Sequence, residues 1–177
     1  MERRILEPTL AGMRKEGHPY RGVLYAGIML TNTGPKVLEF NCRFGDPECQ
    51  LILPLLSSRL VDACDAVVEG RLRPDEVRWA NHQTYGVVLA ARGYPDSPIV
   101  GDPIEGLDTV SEGVVAFHAG TRLDRAGRLV SAGGRVLTLV GFDRRKVYRT
   151  AESVDFQGKQ YRRDIGVETM SAVGVAP

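Results

Sequence analysis

The stretch that decides the fold is Val37-Leu38-Glu39-Phe40-Asn41-Cys42-Arg43-Phe44-Gly45-Asp46-Pro47-Glu48. Apolar and polar residues alternate through its first half, which predicts a β-strand, and Gly-Asp-Pro then predicts a turn. Because successive side chains of a strand point to opposite faces, Glu39, Asn41 and Arg43 are expected on one face, with alternate Cα atoms about 6.5 Å apart. The other face is expected to pack against the interior; it comprises Leu38, Phe40 and Cys42.

The polar face of this strand carries a carboxylate, an amide oxygen and a guanidinium. Magnesium takes oxygen ligands, often one or two from the protein together with substrate phosphates. Arginine binds phosphate or carboxylate through two parallel hydrogen bonds. An ordinary strand with one solvated face would show the same three residues, so the pattern by itself leaves both interpretations open.

The composition limits the classes of protein to which the chain can belong. Its 177 residues are 43% hydrophobic, which suffices for a core, and the formal charge is +1. No long basic block indicates a nucleic-acid partner, and no apolar stretch reaches the roughly 18 residues of a membrane span. The N-terminus does not resemble a signal peptide. Three cysteines without metal-binding spacing are expected as buried free thiols. We therefore expect a cytoplasmic protein that binds neither nucleic acid nor membrane.

Hydrophobic periodicity divides the chain into a mixed first part and a largely β second part. Helices are predicted over 3–16, in a short turn after Pro47, and from Ser58 as N-cap to Gly70. A hairpin of strands 23–30 and 36–41 lies between the first two. Further strands are predicted at 85–91, 113–119, 129–132 and 135–140, followed by a helix at 143–153. The predicted fold class is α+β, and the second part is small and mainly antiparallel.

The residues around the predicted turn carry a resemblance to a known family. Residues 43–50, Arg-Phe-Gly-Asp-Pro-Glu-Cys-Gln, resemble the signature of the phosphoribosylamine–glycine ligases of purine biosynthesis. Five further segments match in the family's order and extend the resemblance over almost the entire chain. They are Tyr25-Ala26-Gly27, Ala91-Arg92-Gly93-Tyr94-Pro95, Phe117-His118-Ala119-Gly120-Thr121, Gly133-Gly134-Arg135-Val136-Leu137 and Tyr161-Arg162-Arg163-Asp164-Ile165-Gly166.

The resemblance implies a division of the chain and a reaction. Residues 1–72 would form the C-terminal half of an ATP-grasp catalytic domain, 73–83 a linker, and 84–172 the family's C-terminal β-rich domain. Family members transfer the γ-phosphoryl group of ATP to the carboxylate of glycine, and the amine of 5-phosphoribosylamine then attacks the glycyl phosphate. The products are glycinamide ribonucleotide, ADP and phosphate. The implied cofactors are ATP and Mg²⁺ or Mn²⁺, because phosphoryl transfer requires mainly positioning and charge neutralisation.

The family's metal-ligand positions match Glu39 and Asn41, where a cation would bridge ATP phosphate oxygens. Many ATP-grasp enzymes use another carboxylate on the neighbouring strand. Strand 23–30 carries no Asp or Glu, so the implied metal site rests on two residues. Arg43 would hold the transferred phosphoryl group or the glycine carboxylate, unless it forms an ion pair with Asp46 or Glu48 within the turn.

Two further residues of the segment have alternative roles. Leu38 is expected either beside the adenine or in ordinary core packing. Asp46 can cap the following helical turn, with Pro47 at the favoured first position. It can also accept a hydrogen bond from a substrate amine, and the two roles are compatible.

A second binding site is expected at Gly133-Gly134-Arg135. Paired glycines let backbone N–H groups approach an anion, and Arg135 adds a charged fork. By similarity to related ATP-grasp enzymes that act on ribonucleotides, this loop would hold the ribose 5-phosphate. The alternative is a plain glycine turn that leads into a strand.

The resemblance covers only the C-terminal part of the family. The first helix, predicted over 3–16, has no capping residue, so we expect that Met1 is an internal methionine of a longer gene. The chain would then be a partial gene product, one half of a split enzyme or a truncated form, inactive without the N-terminal part, which could be a separate partner chain. One alternative is a remnant that only binds a ribonucleotide or a partner. Another is a biotin or aminoimidazole ribonucleotide carboxylase, which would share the Glu39, Asn41 and Arg43 pattern.

Overall fold

The computed structural model of the chain describes residues 2–167. Its internal contacts divide the chain into two compact units. Unit 1 comprises the residues up to Cys49 together with Leu56–Ala80, and unit 2 comprises Gln50–Leu55 together with the chain from Asn81 onward. Helices and antiparallel sheets occur together, which confirms the predicted α+β class.

Unit 1 contains two longer helices and an antiparallel hairpin. Helix α1 has no side-chain hydrogen bond at its N-terminus, as the sequence predicts. Helix α3 ends at Gly70, whose positive φ of 71° is the left-handed conformation typical of a glycine C-cap. In chain order the elements are α1 (Leu6–Lys15), β1 (Tyr25–Thr31), β2 (Gly34–Asn41), the start of α2 (Glu48–Ile52) and α3 (Leu60–Glu69), with short 3-10 turns at Glu2–Arg4 and Pro74–Glu76.

The hairpin register places the polar residues of β2 opposite the start of β1. Asn41 pairs with Tyr25, and Glu39 pairs with Gly27. The register then shifts, because Ile28 pairs with Val37, so Leu38 is an extra residue on β2. Such bulges interrupt strict alternation and re-aim the neighbouring side chains.

The apolar side of β2 is not buried, so the expected packing of Leu38, Phe40 and Cys42 is wrong. Leu38 is 66% exposed and Phe40 is 41% exposed. The thiols of Cys42 and Cys64 are exposed and that of Cys49 is half-buried, so the expectation of buried thiols is wrong as well. Among the described residues, no helix makes extensive contacts with the hairpin. The alternation correctly identifies an apolar face, but nothing described here covers that face.

The start of α3 also differs from the prediction. Its N-cap position is Arg59, not Ser58, and no side chain caps it. The Ser58 hydroxyl accepts instead from the Arg78 N–H at 3.2 Å, so it joins the preceding segment to residues 77–79. The helix buries only Ala66, and most of its predicted apolar face remains exposed.

Unit 2 is built on a three-stranded antiparallel sheet. β7 (Arg135–Gly141) lies in the centre between β3 (Tyr85–Ala90) and β4 (Val114–His118). A second antiparallel pair joins β5 (Thr121–Leu123), which the sequence reading missed, to β6 (Leu129–Ser131). The remaining elements are α4 (Arg144–Ser153) and the 3-10 turns Leu53–Leu55 and Leu107–Thr109.

The main hydrophobic core lies in unit 2. Helix α4 begins at its N-cap Asp143, whose side chain accepts from the Arg145 N–H at 2.8 Å. It buries Val147, Thr150 and Ala151 against β3 and β7. The sheet contributes Val87, Leu89, Val136, Leu137 and Leu139, all almost completely buried. Unit 2 therefore has the interior of a stable domain.

No helix among residues 2–167 is both long enough and apolar enough to span a membrane.

Candidate active site

Glu39 and Asn41 lie side by side at the end of β2. The Asn41 side-chain nitrogen donates to Glu39 Oε1 at 3.0 Å, so both side chains point to the same face. Glu39 also lies over Gly27 on β1: a Cβ at position 27 would come within 3.1 Å of Glu39 Cγ. The missing side chain of Gly27 thus gives the Glu39 carboxylate its place on the hairpin.

Arg43 lies beyond the end of β2, so the prediction that it continues the strand face is wrong. The strand ends at Asn41, and Arg43 belongs to the bend that follows. Its Nη1 donates to the Phe44 carbonyl at 2.8 Å. Arg43 is exposed.

The turn after Arg43 is closed by a backbone hydrogen bond from the Cys49 N–H to the Gly45 carbonyl, at 2.9 Å. Gly45 is buried, whereas Asp46 is exposed. Helix α2 begins at Glu48, one residue after Pro47. Asp46 therefore lies just before the helix, on the surface of the turn.

Tyr25 belongs to the same site, which sequence reasoning missed. Its hydroxyl donates to Glu48 Oε1 at 3.0 Å. This hydrogen bond and the Glu48 charge raise the pKa of Tyr25, and Glu39 raises it further, while the positive charge of Arg43 acts in the opposite direction. The Tyr25 hydroxyl is therefore protonated at neutral pH and lies within the field of three charged side chains. The segment Tyr25-Ala26-Gly27 was visible in the sequence, but nothing in it indicated this partner.

The donor set of this face fits a hard cation. Within residues 2–167, no group of three or more His, Cys, Asp or Glu side chains is arranged to hold a metal ion. The contact between Asn41 and Glu39 uses one carboxylate oxygen and the amide nitrogen. The Asn41 carbonyl oxygen and the second Glu39 oxygen are the ligand types that magnesium prefers.

The second predicted site, Gly133-Gly134-Arg135, lies in unit 2 at the start of β7. A Cβ on Gly120 would lie 2.6 Å from the Gly133 Cα, and a Cβ on Gly134 would lie 2.5 Å from the Tyr94 ring. Close packing thus requires glycine at positions 120 and 134. The Gly134 carbonyl accepts from the Ala91 N–H at 2.8 Å. Within residues 2–167, the N–H groups of Gly133 and Gly134 donate to no protein acceptor.

Comparisons with known proteins define the class of the chain. Residues 1–49 match the model of the phosphoribosylglycinamide synthetase ATP-grasp (A) domain, so the hairpin and its polar face belong to an ATP-grasp protein. Residues 84–168 match the model of the phosphoribosylglycinamide synthetase C domain. The chain belongs to the phosphoribosylglycinamide synthetase family, a family of ATP-using ligases, as its motifs predict.

Curated relatives and a solved structure agree with this assignment. The phosphoribosylamine–glycine ligase of Neisseria meningitidis is 45% identical over 168 residues, covering 91% of this chain and 40% of the relative. The trifunctional purine biosynthetic protein adenosine-3 of Gallus gallus is 46% identical over 175 residues, covering 94% of this chain and 17% of the relative. The crystal structure of a Thermotoga maritima phosphoribosylamine–glycine ligase superposes with a TM-score of 0.74 at 42% identity, covering 88% of this chain and 40% of that one. The chain thus spans about 40% of the length of the single-function ligases that it matches.

Proposed function

We propose that the chain is part of a phosphoribosylamine–glycine ligase and supplies one wall of its glycine-activating ATP site. In the complete reaction, a glycine carboxylate oxygen attacks the γ-phosphorus of ATP and ADP leaves. The amine of 5-phosphoribosylamine then attacks the carbonyl carbon of glycyl phosphate, and phosphate leaves. The observation that carries the proposal is the contact between Asn41 and Glu39 on an exposed strand face of the ATP-grasp match.

Glu39 and Asn41 are the proposed ligands of Mg²⁺, or of Mn²⁺ in its place. Two protein oxygens are enough for Mg²⁺ when phosphate oxygens and water complete its coordination. When bound, the cation would neutralise charge on the ATP phosphates during transfer. The chain's own contribution is to hold these two oxygens together, because phosphoryl transfer depends mainly on positioning and electrostatic stabilisation.

Arg43 and Asp46 are the proposed substrate-binding residues beside this pair. The Arg43 side chain is exposed, its charge opposes the rise in the pKa of Tyr25, and its guanidinium can bind the transferred phosphoryl group or the glycine carboxylate. Asp46 lies on the exposed side of the turn, where it can accept from a substrate amine. Leu38, which is 66% exposed, offers an apolar contact to the adenine.

In unit 2, we assign the ribose 5-phosphate to Gly133, Gly134 and Arg135. The support is that the two glycine N–H groups donate to no protein acceptor among residues 2–167, as an anion-binding loop requires. The close approach of Gly120 and Tyr94 accounts for the glycines equally well on structural grounds. The packed side includes the Gly133 nitrogen, which lies 2.7 Å from the position that a Cβ on Gly120 would take.

The remaining assignments follow from the family. We propose a partial ATP-grasp domain over 1–72, a linker over 73–83 and the C-terminal domain from 84 to 172, of which the last residues lie outside the described part. Cytoplasmic location and a requirement for the N-terminal part of the ligase, as the same or a separate chain, are part of this proposal. Both matched family models describe phosphoribosylglycinamide synthetase, so we favour the ligase over an ATP-grasp carboxylase.

Glycine-dependent formation of ADP tests this function. The chain alone is expected to form no ADP. Mixed with the portion of the Neisseria meningitidis ligase that it does not match, it should do so only when glycine is present. Glu39→Gln should abolish the signal, and Glu7→Gln, which removes a carboxylate on α1, should retain it. Glycine-dependent ADP formation by the chain alone, or activity of the mixture that survives Glu39→Gln, would contradict the proposal.

A second candidate is a non-catalytic remnant that binds only a ribonucleotide. The N–H groups of Gly133 and Gly134 favour it, because they need no other part of the ligase to bind a phosphate. Calorimetry with glycinamide ribonucleotide separates the two candidates. Binding that is lost in Arg135→Ala, in a chain that remains inactive in the mixture, favours the remnant. The same binding in a chain that restores activity supports the ligase.

A further inference from the structure

Glu48 folds back over the turn that precedes it, and Gly45 provides the space. A Cβ at position 45 would lie 2.2 Å from Glu48 Oε2 and 2.7 Å from its Cδ. The carboxylate therefore occupies the volume that any larger residue at 45 would fill. This contact explains why a glycine at position 45 is followed three residues later by a glutamate at position 48. The proposed reaction itself assigns no role to either residue.

The same carboxylate joins the turn to the hairpin. Glu48 Oε1 accepts from the Tyr25 hydroxyl at 3.0 Å, in a partly buried bond between residues 23 positions apart. Tyr25 begins β1 and pairs directly with Asn41. The Tyr25 side chain thus connects β1, which pairs with Asn41, to the turn that follows Arg43.

We infer that Tyr25 is a positioning residue that acts through Glu48 and holds the turn of residues 43–48 beside Glu39 and Asn41. This inference rests on the proposed function, because it gives the turn a purpose only if Glu39 and Asn41 bind the cation. Arg43 enters the turn immediately after the metal-binding pair, so the position of the turn sets the position of its guanidinium. A functional group must be held within about 0.5 Å of its productive place by such supporting contacts.

The charges around the phenol agree with this arrangement. Tyr25 lies within the electrostatic influence of Glu39 and Arg43 as well as Glu48. The hydrogen bond from Tyr25 to Glu48 and the backbone bond from Cys49 to Gly45 enclose the turn from two sides. Removing the phenol hydroxyl should therefore release the turn while leaving the two-stranded hairpin intact.

Amide hydrogen exchange of the full chain tests the positioning. The Cys49 N–H, which donates to Gly45, is expected to exchange about tenfold faster in Tyr25→Phe and Glu48→Leu, which lose a hydrogen bond to a charged group. Glu48→Gln keeps the acceptor oxygen and should rescue the slow exchange. Tyr85→Phe is the matched control, because the Tyr85 hydroxyl donates to Gln83 within unit 2.

Broadening of NMR signals by bound Mn²⁺ reports the position of Arg43 relative to the cation, which a change in the stability of the turn alone would not alter. In the wild type and Glu48→Gln, Mn²⁺ should broaden both the Asn41 amide signal and the Arg43 side-chain Nε–H signal. In Tyr25→Phe and Glu48→Leu, the broadening should persist at the Asn41 amide and weaken at the Arg43 Nε–H, because the guanidinium is no longer held beside the cation. If Glu48→Gln behaves like Glu48→Leu, the carboxylate acts by its charge on a ligand and the positioning role is overturned.

The two proposals fail in different ways. No broadening at Asn41 in the wild type overturns the proposed metal site and, with it, the purpose of the Tyr25 and Glu48 pair. Normal broadening in Tyr25→Phe at both positions, with unchanged exchange at Cys49, overturns the positioning role alone.

Discussion

The side-chain nitrogen of Asn41 donates to Glu39 Oε1 at 3.0 Å, between alternate residues on one face of β2. The contact directs the amide nitrogen towards the carboxylate, and the amide oxygen is therefore the group of Asn41 that can meet a cation. The bulge at Leu38 lies before Glu39, so Glu39 and Asn41 stay in regular register with β1 and share one face. A pair of oxygen ligands is thus organised by the hairpin itself.

Gly27→Ala should weaken Mn²⁺ binding several-fold without unfolding the chain. The new Cβ would lie 3.1 Å from Glu39 Cγ and would push the carboxylate away from Asn41. A Mn²⁺ titration measures the loss, and far-UV circular dichroism checks that the fold is retained. Unchanged binding would show that the place of Glu39 over Gly27 has no importance for the site.

Gly120→Ala should destabilise the chain by about 1–3 kcal/mol, the usual cost of overpacking. Its Cβ would lie 2.6 Å from the Gly133 Cα and 2.8 Å from the Arg135 carbonyl oxygen, and backbone atoms cannot move aside as a flexible side chain can. Urea unfolding measures the change. Gly12→Ala, in α1 with nothing within 4 Å of the new Cβ, is the matched control and should not destabilise.

Asp164 should titrate well below an ordinary aspartate. Its hydrogen bond with Arg162, whose Nε donates to Oδ1 at 2.8 Å, lowers the pKa of Asp164 from 3.8 to about 2. Because the pKa is lower in the folded state, the contribution of the carboxylate to stability is present above pH 3.8 and is lost as the pH falls towards 2.

Carbon-detected NMR titration of the Asp164 carboxyl measures this value. Arg162→Gln should return the pKa towards 3.8. Arg163→Gln should leave it low, because Arg163 pairs with Glu152 at 3.7 Å. An Asp164 pKa that is insensitive to Arg162→Gln would contradict the assignment of its cause.

The sequence predicted the central pair because alternate residues of a strand share a face, and this rule holds from Glu39 to Asn41. It failed two residues later, where β2 ends and the backbone of the bend decides where Arg43 points. It also failed for Leu38 and Phe40, because alternation assigns a residue to a face without saying what lies against that face.

Other features depended on contacts that no local pattern encodes. The hydrogen bond from Tyr25 to Glu48 joins residues 23 positions apart through the geometry of a turn. The closeness of Gly120 to Gly133 requires two strands and a loop to be in place at once. By contrast, the Asp143 cap of α4 and the Gly70 stop of α3 are local, and the structure contains helix ends at both positions.

The most direct test of the central claim is a Mn²⁺ titration of the 177-residue chain, followed by broadening of its amide signals. We predict broadening centred on Glu39 and Asn41. It should be lost in Glu39→Gln and retained in Glu7→Gln. Broadening that is centred elsewhere, or that survives Glu39→Gln, would contradict the assignment of this strand face as the metal-binding wall of a glycine ligase.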